Sequence, residues 1–163
     1  MPKEKGGQPS LSQGKYMKIL DLSAGKRAQW YNKQHPLTTY VDIRPEMAPD
    51  IVCDTWSLPF EDASFDLISF DPPHMCCGPA SNMAAQYGHW TTSQILETVE
   101  GTSKEAWRVA KPECLLTLKW NDHDIKLDRV INLMPQWEPL YGQTTAVRGK
   151  HPSATTWTIF KRS

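Results

Sequence analysis

Hydrophobic positions along this chain fall in short runs rather than long stripes. Met17 to Asp21 (Met-Lys-Ile-Leu-Asp) is a brief apolar run ending on an acid. Thr38 to Ile43, Asp50 to Asp54 and Phe65 to Asp71 repeat that form, each with a carboxylate at or near its end. Runs of this length, rich in β-branched and aromatic residues and bounded by Gly, Pro, Ser or Asp, predict strands. Cys114 to Trp120 predicts a fifth. Its Leu115 and Leu116, with Ile68 in the fourth, suggest central strands covered on both faces. Two more strands are expected near Trp137 to Tyr141 and Thr155 to Lys161.

Helical signals lie between the runs. Thr91-x-x-Gln94 and Thr102-x-x-Glu105 have the form of helix N-termini. Residues 92–110 are therefore expected to be helical, with a break or restart near Gly101. Arg27 to Lys33 predicts a helix that stops before Pro36, and Asp124 to Met134 another. His74 to about Trp90 reads as a loop. Residues 1–14 hold little to bury and are expected to be flexible, leaving residues 15–163 as one domain. Strands alternating with helices imply right-handed crossovers and a mostly parallel sheet. The expected fold is an α/β, Rossmann-like three-layer sandwich with an antiparallel C-terminal hairpin.

Ligands on such sheets sit at the carboxyl ends of the strands. Asp21, Asp42, Asp54 and Asp71 all fall there on this reading. Charge sharpens the picture. The 163 residues carry 18 Lys plus Arg and 18 Asp plus Glu, a formal net charge of zero. That argues against a chain coated with basic residues for nucleic acid. The zero is a sum of unlike regions. Asp42 to Asp71 holds eight acids and one base, Arg44, whereas Arg148, Lys150, Lys161 and Arg162 follow Glu138 with no acid among them. No apolar run approaches the ~18 residues that span a bilayer, and Met1 to Lys15 lacks a signal-peptide core. A cytoplasmic protein without membrane contact is expected. Cys53, Cys76, Cys77 and Cys114 form neither a disulfide frame nor a paired zinc motif. They read as free thiols, and no metal is expected even with His74 beside Cys76 and Cys77.

Carboxylates accept hydrogen bonds from hydroxyls and amines. An acid after the second strand is placed for the two hydroxyls of a ribose, and one after the third for an adenine amine. Gly25 lets the backbone approach a ligand closely. Ser23 to Arg27 matches neither GxGxxG nor GxxxxGK[ST], and an acid-rich pocket repels pyrophosphate. A cationic nucleoside cofactor suits the site better than NAD or ATP.

Ile19-Leu20-Asp21-Leu22-Ser23-Ala24-Gly25 resembles the first motif, D-x-x-x-G-x-G, of class I S-adenosylmethionine-dependent methyltransferases. Asp42 matches that family's acid after the second strand. Cys53 to Ile68 is similar to its D-x-x-x-L-P-F-x-D-x-S-F-D-L-[IV] stretch, and Ala106 to Pro112 to its R-V-L-K-P-G segment. The resemblance spans about residues 17–120. It implies S-adenosyl-L-methionine as cofactor, held by Asp21, Ser23, Ala24, Gly25, Asp42, Ile43, Asp54, Thr55 and Trp56. Arg27 stands where the first motif has its last Gly, and Glu113-Cys114 where the family has Gly-Gly. The stretch Arg44 to Ala48 is too short for the usual helix.

Asp71-Pro72-Pro73-His74 is similar to the [DNS]-P-P-[YFW] motif of N6-adenine and other amino methyltransferases. That likeness implies catalysis by Asp71, Pro72, Pro73 and His74. An adenine amine is a poor nucleophile because its lone pair is delocalised. The Asp71 carboxylate and Pro72 carbonyl would accept its N–H groups, and the prolines stiffen that carbonyl. Transfer then rests on positioning and local negative charge. His74 stands at the position of an aromatic that stacks on the target base. Stacking, proton acceptance and capping of the loop are all open to it. Substrate contacts are expected from Asn82 and Tyr87, with His89 and Trp90 nearby, and from Arg148, Lys150 and His151 toward phosphate. The expectation is an N-methyltransferase acting on an exocyclic amine of a nucleic-acid base or nucleotide, adenine N6 favoured, with a possible protein partner for target recognition. The alternatives are a small-molecule or protein acceptor, or a non-catalytic cofactor-binding subunit of a methyltransferase complex.

Overall fold

A computed structural model of the chain describes residues 16–80, 88–145 and 153–163. Seven strands form one sheet: β1 (Ile19–Asp21), β2 (Thr38–Asp42), β3 (Ile51–Val52), β4 (Phe65–Phe70), β5 (Ala110–Asn121), β6 (Trp137–Thr144) and β7 (Thr155–Arg162). Their order is β3-β2-β1-β4-β5-β7-β6. β1 to β5 pair in parallel, and β7 lies antiparallel between β5 and β6. The sheet is thus mostly parallel with an antiparallel C-terminal pair, as the sequence predicts. The order reverses at β1, whose neighbours β2 and β4 both continue away from it. Such a switch point opens a crevice at the strand ends.

The helix α1 (Thr92–Val109) connects β4 to β5. Thr91 caps it by a reciprocal capping box with Gln94, as the Thr-x-x-Gln pattern implies. Its buried stripe of Ile95, Val99, Thr102, Ala106 and Val109 has the spacing of an amphipathic helix. That stripe packs with Leu20, Val41, Ile68, Leu116 and Leu118 in one core. The expected break near Gly101 is absent. The Trp56 ring lies against that glycine, within 3.1 Å of where a Cβ would stand, so the missing side chain makes room for an indole instead of ending the helix. The helix expected over Asp124 to Met134 is confined to α2 (Leu127–Ile131), with turns on either side.

The other face of the sheet is covered differently. No helix forms over Arg27 to Lys33; the stretch is a series of turns. Arg27 has φ of +54°, which a right-handed helix does not admit. Its guanidinium stacks 3.9 Å from the Tyr40 ring centroid and donates to the carbonyls of Lys33 at 2.7 Å and Ala48 at 3.0 Å. Trp30 packs edge-on against Tyr40, ring centroids 5.4 Å apart. Turns sewn together by side chains therefore form the third layer over β1 and β2. Over β5 that layer stops: Leu116, Leu118 and Trp120 are buried toward the helices, while Leu115, Thr117 and Lys119 keep solvent access. The expectation of full cover on both faces fails there.

Two residues that stand where the resembled motifs carry glycine keep a glycine-like backbone. Arg27 is one and Glu113, with φ of +68°, is the other. Glu113 lies within the irregular start of β5, where pairing with β4 shifts register after Phe65. Each conformation costs about 1–2 kcal/mol for a residue with a Cβ. The Arg27 stack and hydrogen bonds, and a 2.8 Å ion pair from Lys161 to Glu113, act against that cost. Among the described residues no helix is long and apolar enough to cross a membrane.

Candidate functional site

β1 delivers Asp21 to the crevice with only 5% of its surface exposed. Its carboxylate accepts from the Ser23 N–H at 3.2 Å and from the Trp30 indole N–H at 2.7 Å. Burial, aided by the charges of Asp71 and Asp42, raises its pKa to about 6 despite those two donors. The charges of Asp42 and Asp71 both bear on Asp21, so three of the four predicted carboxylates lie close together. Asp54 stands apart, exposed beyond β3, with one oxygen accepting the Trp56 N–H at 3.0 Å.

The Ser23–Gly25 loop is fixed by backbone and side chain together. The Ala24 N–H donates to the Val41 carbonyl at 3.0 Å. Ser23 Oγ accepts the Asp71 N–H at 2.9 Å, joining the β1 and β4 loops. Gly25, with φ of +47°, points its N–H at Asp42 Oδ2 at 2.8 Å.

Asp42 is already fully occupied. Oδ1 accepts the Arg44 N–H at 2.9 Å and its Nε at 3.0 Å, while Oδ2 accepts Gly25 and Arg44 Nη2 at 3.1 Å. Burial alone would raise its pKa, but the Arg44 and Gly25 hydrogen bonds outweigh it and hold the carboxyl below its usual value. A ribose can reach this carboxylate only by displacing the Arg44 fork. No sequence expectation anticipated this, because Arg44 read merely as the lone base of an acidic stretch.

Thr55 and Trp56 are tied to α1 rather than left free. Thr55 Oγ1 is 2.6 Å from Thr102 Oγ1, and Trp56 rests on Gly101 with about half its surface exposed. Ile43 is exposed just past β2.

Asp71 follows β4. Its Oδ2 accepts Gln29 Nε2 at 2.5 Å and Lys119 Nζ at 2.8 Å. Its Oδ1 is buried and, among the described residues, has no hydrogen-bond partner. Pro72 is buried and Pro73 half-buried. His74 Nδ1 lies 3.0 Å from the Pro72 carbonyl oxygen and 3.9 Å from Asp71 Oδ1. Its ring meets Trp120 edge-on, centroids 5.9 Å apart. The contact with the Pro72 carbonyl is that of a loop cap, one of the three roles open to His74. Gln29 and Lys119 are residues that the sequence reading missed. Each sits in a segment whose polar residues look like an ordinary solvated face.

His89 and Trp90 precede α1, His89 exposed and Trp90 half-buried. Asn82, Tyr87, Arg148, Lys150 and His151 lie outside the described residues. Among the described residues no cluster of His, Cys, Asp or Glu is arranged to hold a metal ion. Cys76 and Cys77 point elsewhere: Cys76 Sγ is 3.4 Å from Thr92 Oγ1 and Cys77 Sγ donates to the Gly88 carbonyl at 3.1 Å.

No family model and no curated protein matches the chain in sequence. Solved structures match it in fold. A Methanosarcina mazei structure described as an S-adenosylmethionine-dependent methyltransferase superposes with a TM-score of 0.59 at 15% identity, over 89% of this chain and 92% of that one. A Pyrococcus horikoshii protein gives 0.65 at 15% identity, over 90% and 82%. The N-methyltransferase NodS of Bradyrhizobium japonicum, solved with S-adenosyl-L-homocysteine, gives 0.59 at 12% identity, over 90% and 78%. The chain therefore has the Rossmann-like fold of S-adenosylmethionine-dependent methyltransferases.

Proposed function

We propose that this protein is an S-adenosylmethionine-dependent N-methyltransferase whose acceptor is an exocyclic amine of a nucleic-acid base or nucleotide, adenine N6 foremost. The observation that carries the reading is Asp71: a carboxylate at the switch-point crevice, backed by two prolines, with one buried oxygen lacking a donor. A buried unpaired acceptor is costly, and an amine N–H supplies what it lacks.

The residues present fit the cofactor. Asp21 is a carboxylate whose charge is suppressed by burial, and a cation beside it would relieve that. Asp42 holds Gly25 in place and would take the ribose hydroxyls once Arg44 swings away. Asp54, Thr55 and Trp56 flank the outer end, where an adenine would lie. When bound, the cofactor supplies an electrophilic methyl group on a sulfonium. Asp71 then orients the amine and accepts its proton, Ser23 fixes the Asp71 backbone, and Pro72 and His74 hold the loop rigid. Local negative charge and alignment favour the transfer.

A small-molecule acceptor is the second reading. It is favoured by fold neighbours described as a sarcosine dimethylglycine methyltransferase and a geranyl diphosphate methyltransferase. Incubation with methyl-labelled cofactor and DNA, RNA, nucleotide and metabolite pools, followed by mass spectrometry of digested products, separates the two. Methylated adenine is the expected product. Label confined to metabolites or protein would overturn the base reading, and no label anywhere would point to a non-catalytic subunit.

A further inference from the structure

Lys119 changes what the crevice can recognise. It projects from β5 on the face shared with Trp157, its cross-strand partner in β7. Its Nζ lies 2.8 Å from Asp71 Oδ2 and 5.7 Å from the Trp157 ring centroid. A lysine ammonium carries three donors, and the bond to Asp71 uses one. Gln29 shares the same Asp71 oxygen, which leaves the other, Oδ1, with His74 Nδ1 at 3.9 Å and no hydrogen-bond partner among the described residues. The acceptor side of the crevice therefore sets an unsatisfied carboxylate oxygen next to an ammonium with donors to spare.

A group that satisfies both has an N–H donor and, one atom along, a lone pair in the ring plane. Adenine offers this at N6 and N1, and cytosine at N4 and N3. The matching edge of guanine, N2 and N1, presents donors at both places and would leave Lys119 facing an N–H. An exposed aromatic wall, Trp157 with 37% of its surface free, borders the pair.

We propose that Lys119 is a specificity-determining residue that selects an amine-plus-ring-nitrogen edge and steers methyl transfer to the amine. The inference rests on the base-amine reading above. In such an edge the ring nitrogen is the stronger nucleophile, because its lone pair lies in the ring plane while that of the amine is delocalised. A hydrogen bond from Lys119 ties up the ring lone pair. The amine nitrogen then forms the new N–CH3 bond as the S–CH3 bond breaks and its electron pair stays on sulfur. The amine proton passes to Asp71 Oδ1 and from there to water. Nothing beyond the methyl donor and the acceptor is consumed.

The test uses the full chain with labelled cofactor and short single-stranded oligonucleotides containing adenine, 1-deazaadenine, cytosine or guanine. Products are identified by mass spectrometry after digestion. With the wild-type protein only the exocyclic amine is methylated, guanine is refused, and 1-deazaadenine reacts about tenfold or more less efficiently than adenine, as expected for one charged hydrogen bond. With Lys119→Met that discrimination disappears and ring-methylated product (1-methyladenine or 3-methylcytosine) is formed; Lys119→Arg restores amine-only methylation. A merely structural ion pair would lower the rate without moving the methyl group. Equal use of adenine and 1-deazaadenine by the wild-type protein overturns the role of Lys119, as does amine-only product from a folded Lys119→Met. Should Lys119→Met melt at low temperature, the wild-type analogue comparison decides alone. Absence of any methylated base with wild-type protein overturns the functional reading itself, a result distinct from amine methylation without discrimination.

Discussion

Asp42 ends β2 and Asp71 follows β4, the two strands that flank β1, and both meet a cation there, yet the two pairs are built to different ends. Arg44 grips both oxygens of Asp42 with a planar fork, and the Gly25 N–H takes what is left. Lys119 is a point charge on one oxygen of Asp71 and leaves the second unpaired. The fork matches a carboxylate in a way that an ammonium does not. One carboxylate thus has every acceptor position taken, while the other keeps a buried oxygen without a donor among the described residues. On the function proposed above, the cofactor side of the crevice would be gated and the acceptor side primed.

Removing the primed side should have the largest effect. Asp71→Ala is expected to lower the single-turnover transfer rate about 10²-fold or more, the range for loss of a positioned proton acceptor. Cofactor affinity by calorimetry should be unchanged, and full transfer activity would break the comparison on that side. Next comes the gate. Asp42→Ala is expected to weaken cofactor binding about tenfold, the scale of hydrogen bonds to a charged group. Arg44→Ala should instead tighten it a few-fold by freeing the same oxygens. If the two variants weaken binding equally, Arg44 supports the site and does not guard it.

The smallest effect concerns the carboxylate between them. Asp21 titrates near 6 in the folded chain, against 3.8 ordinarily, chiefly through burial. The folded state therefore holds a proton that the unfolded state releases between about pH 4 and 6. Stability is greatest below that window, falls as pH rises through it, and stays reduced above it. Asp21→Asn should raise the melting temperature by a few degrees at pH 7.5, about 1 kcal/mol after loss of one acceptor. The difference should shrink toward zero near pH 4, and an equal shift at both pH values would contradict the assignment.

Much of this arrangement is legible in the sequence, for physical reasons. Strands β1 to β5 announce themselves as short apolar runs, and the acid that ends β1 and β2 and follows β4 points to the crevice. The capping box of α1 is local and so survives reading one residue at a time. The failures occur where a distant partner decides. Arg27 to Lys33 has helical composition, but Arg27 finds Tyr40 and the Ala48 carbonyl, and Trp30 finds Asp21. Gly101 looks like a helix breaker until Trp56, 45 positions earlier in the chain, is laid on it. Lys119 and Gln29 carry no local signal at all, because their meaning is the carboxylate that the fold brings to them.

The turn-built layer over β1 and β2 has a consequence for motion. A helix there would join the cooperative unit of the sheet; turns pinned by the side chains of Arg27, Gln29 and Trp30 need not. Two of those pins, Gln29 and Trp30, end on Asp71 and Asp21. Opening this layer therefore unfastens both carboxylates without melting a strand, in the manner of sub-global opening units. Its amides would exchange with solvent early in the free protein and slow once a ligand bridges the crevice, so occupancy would be written into the dynamics of a segment that reaches Asp71 through one glutamine.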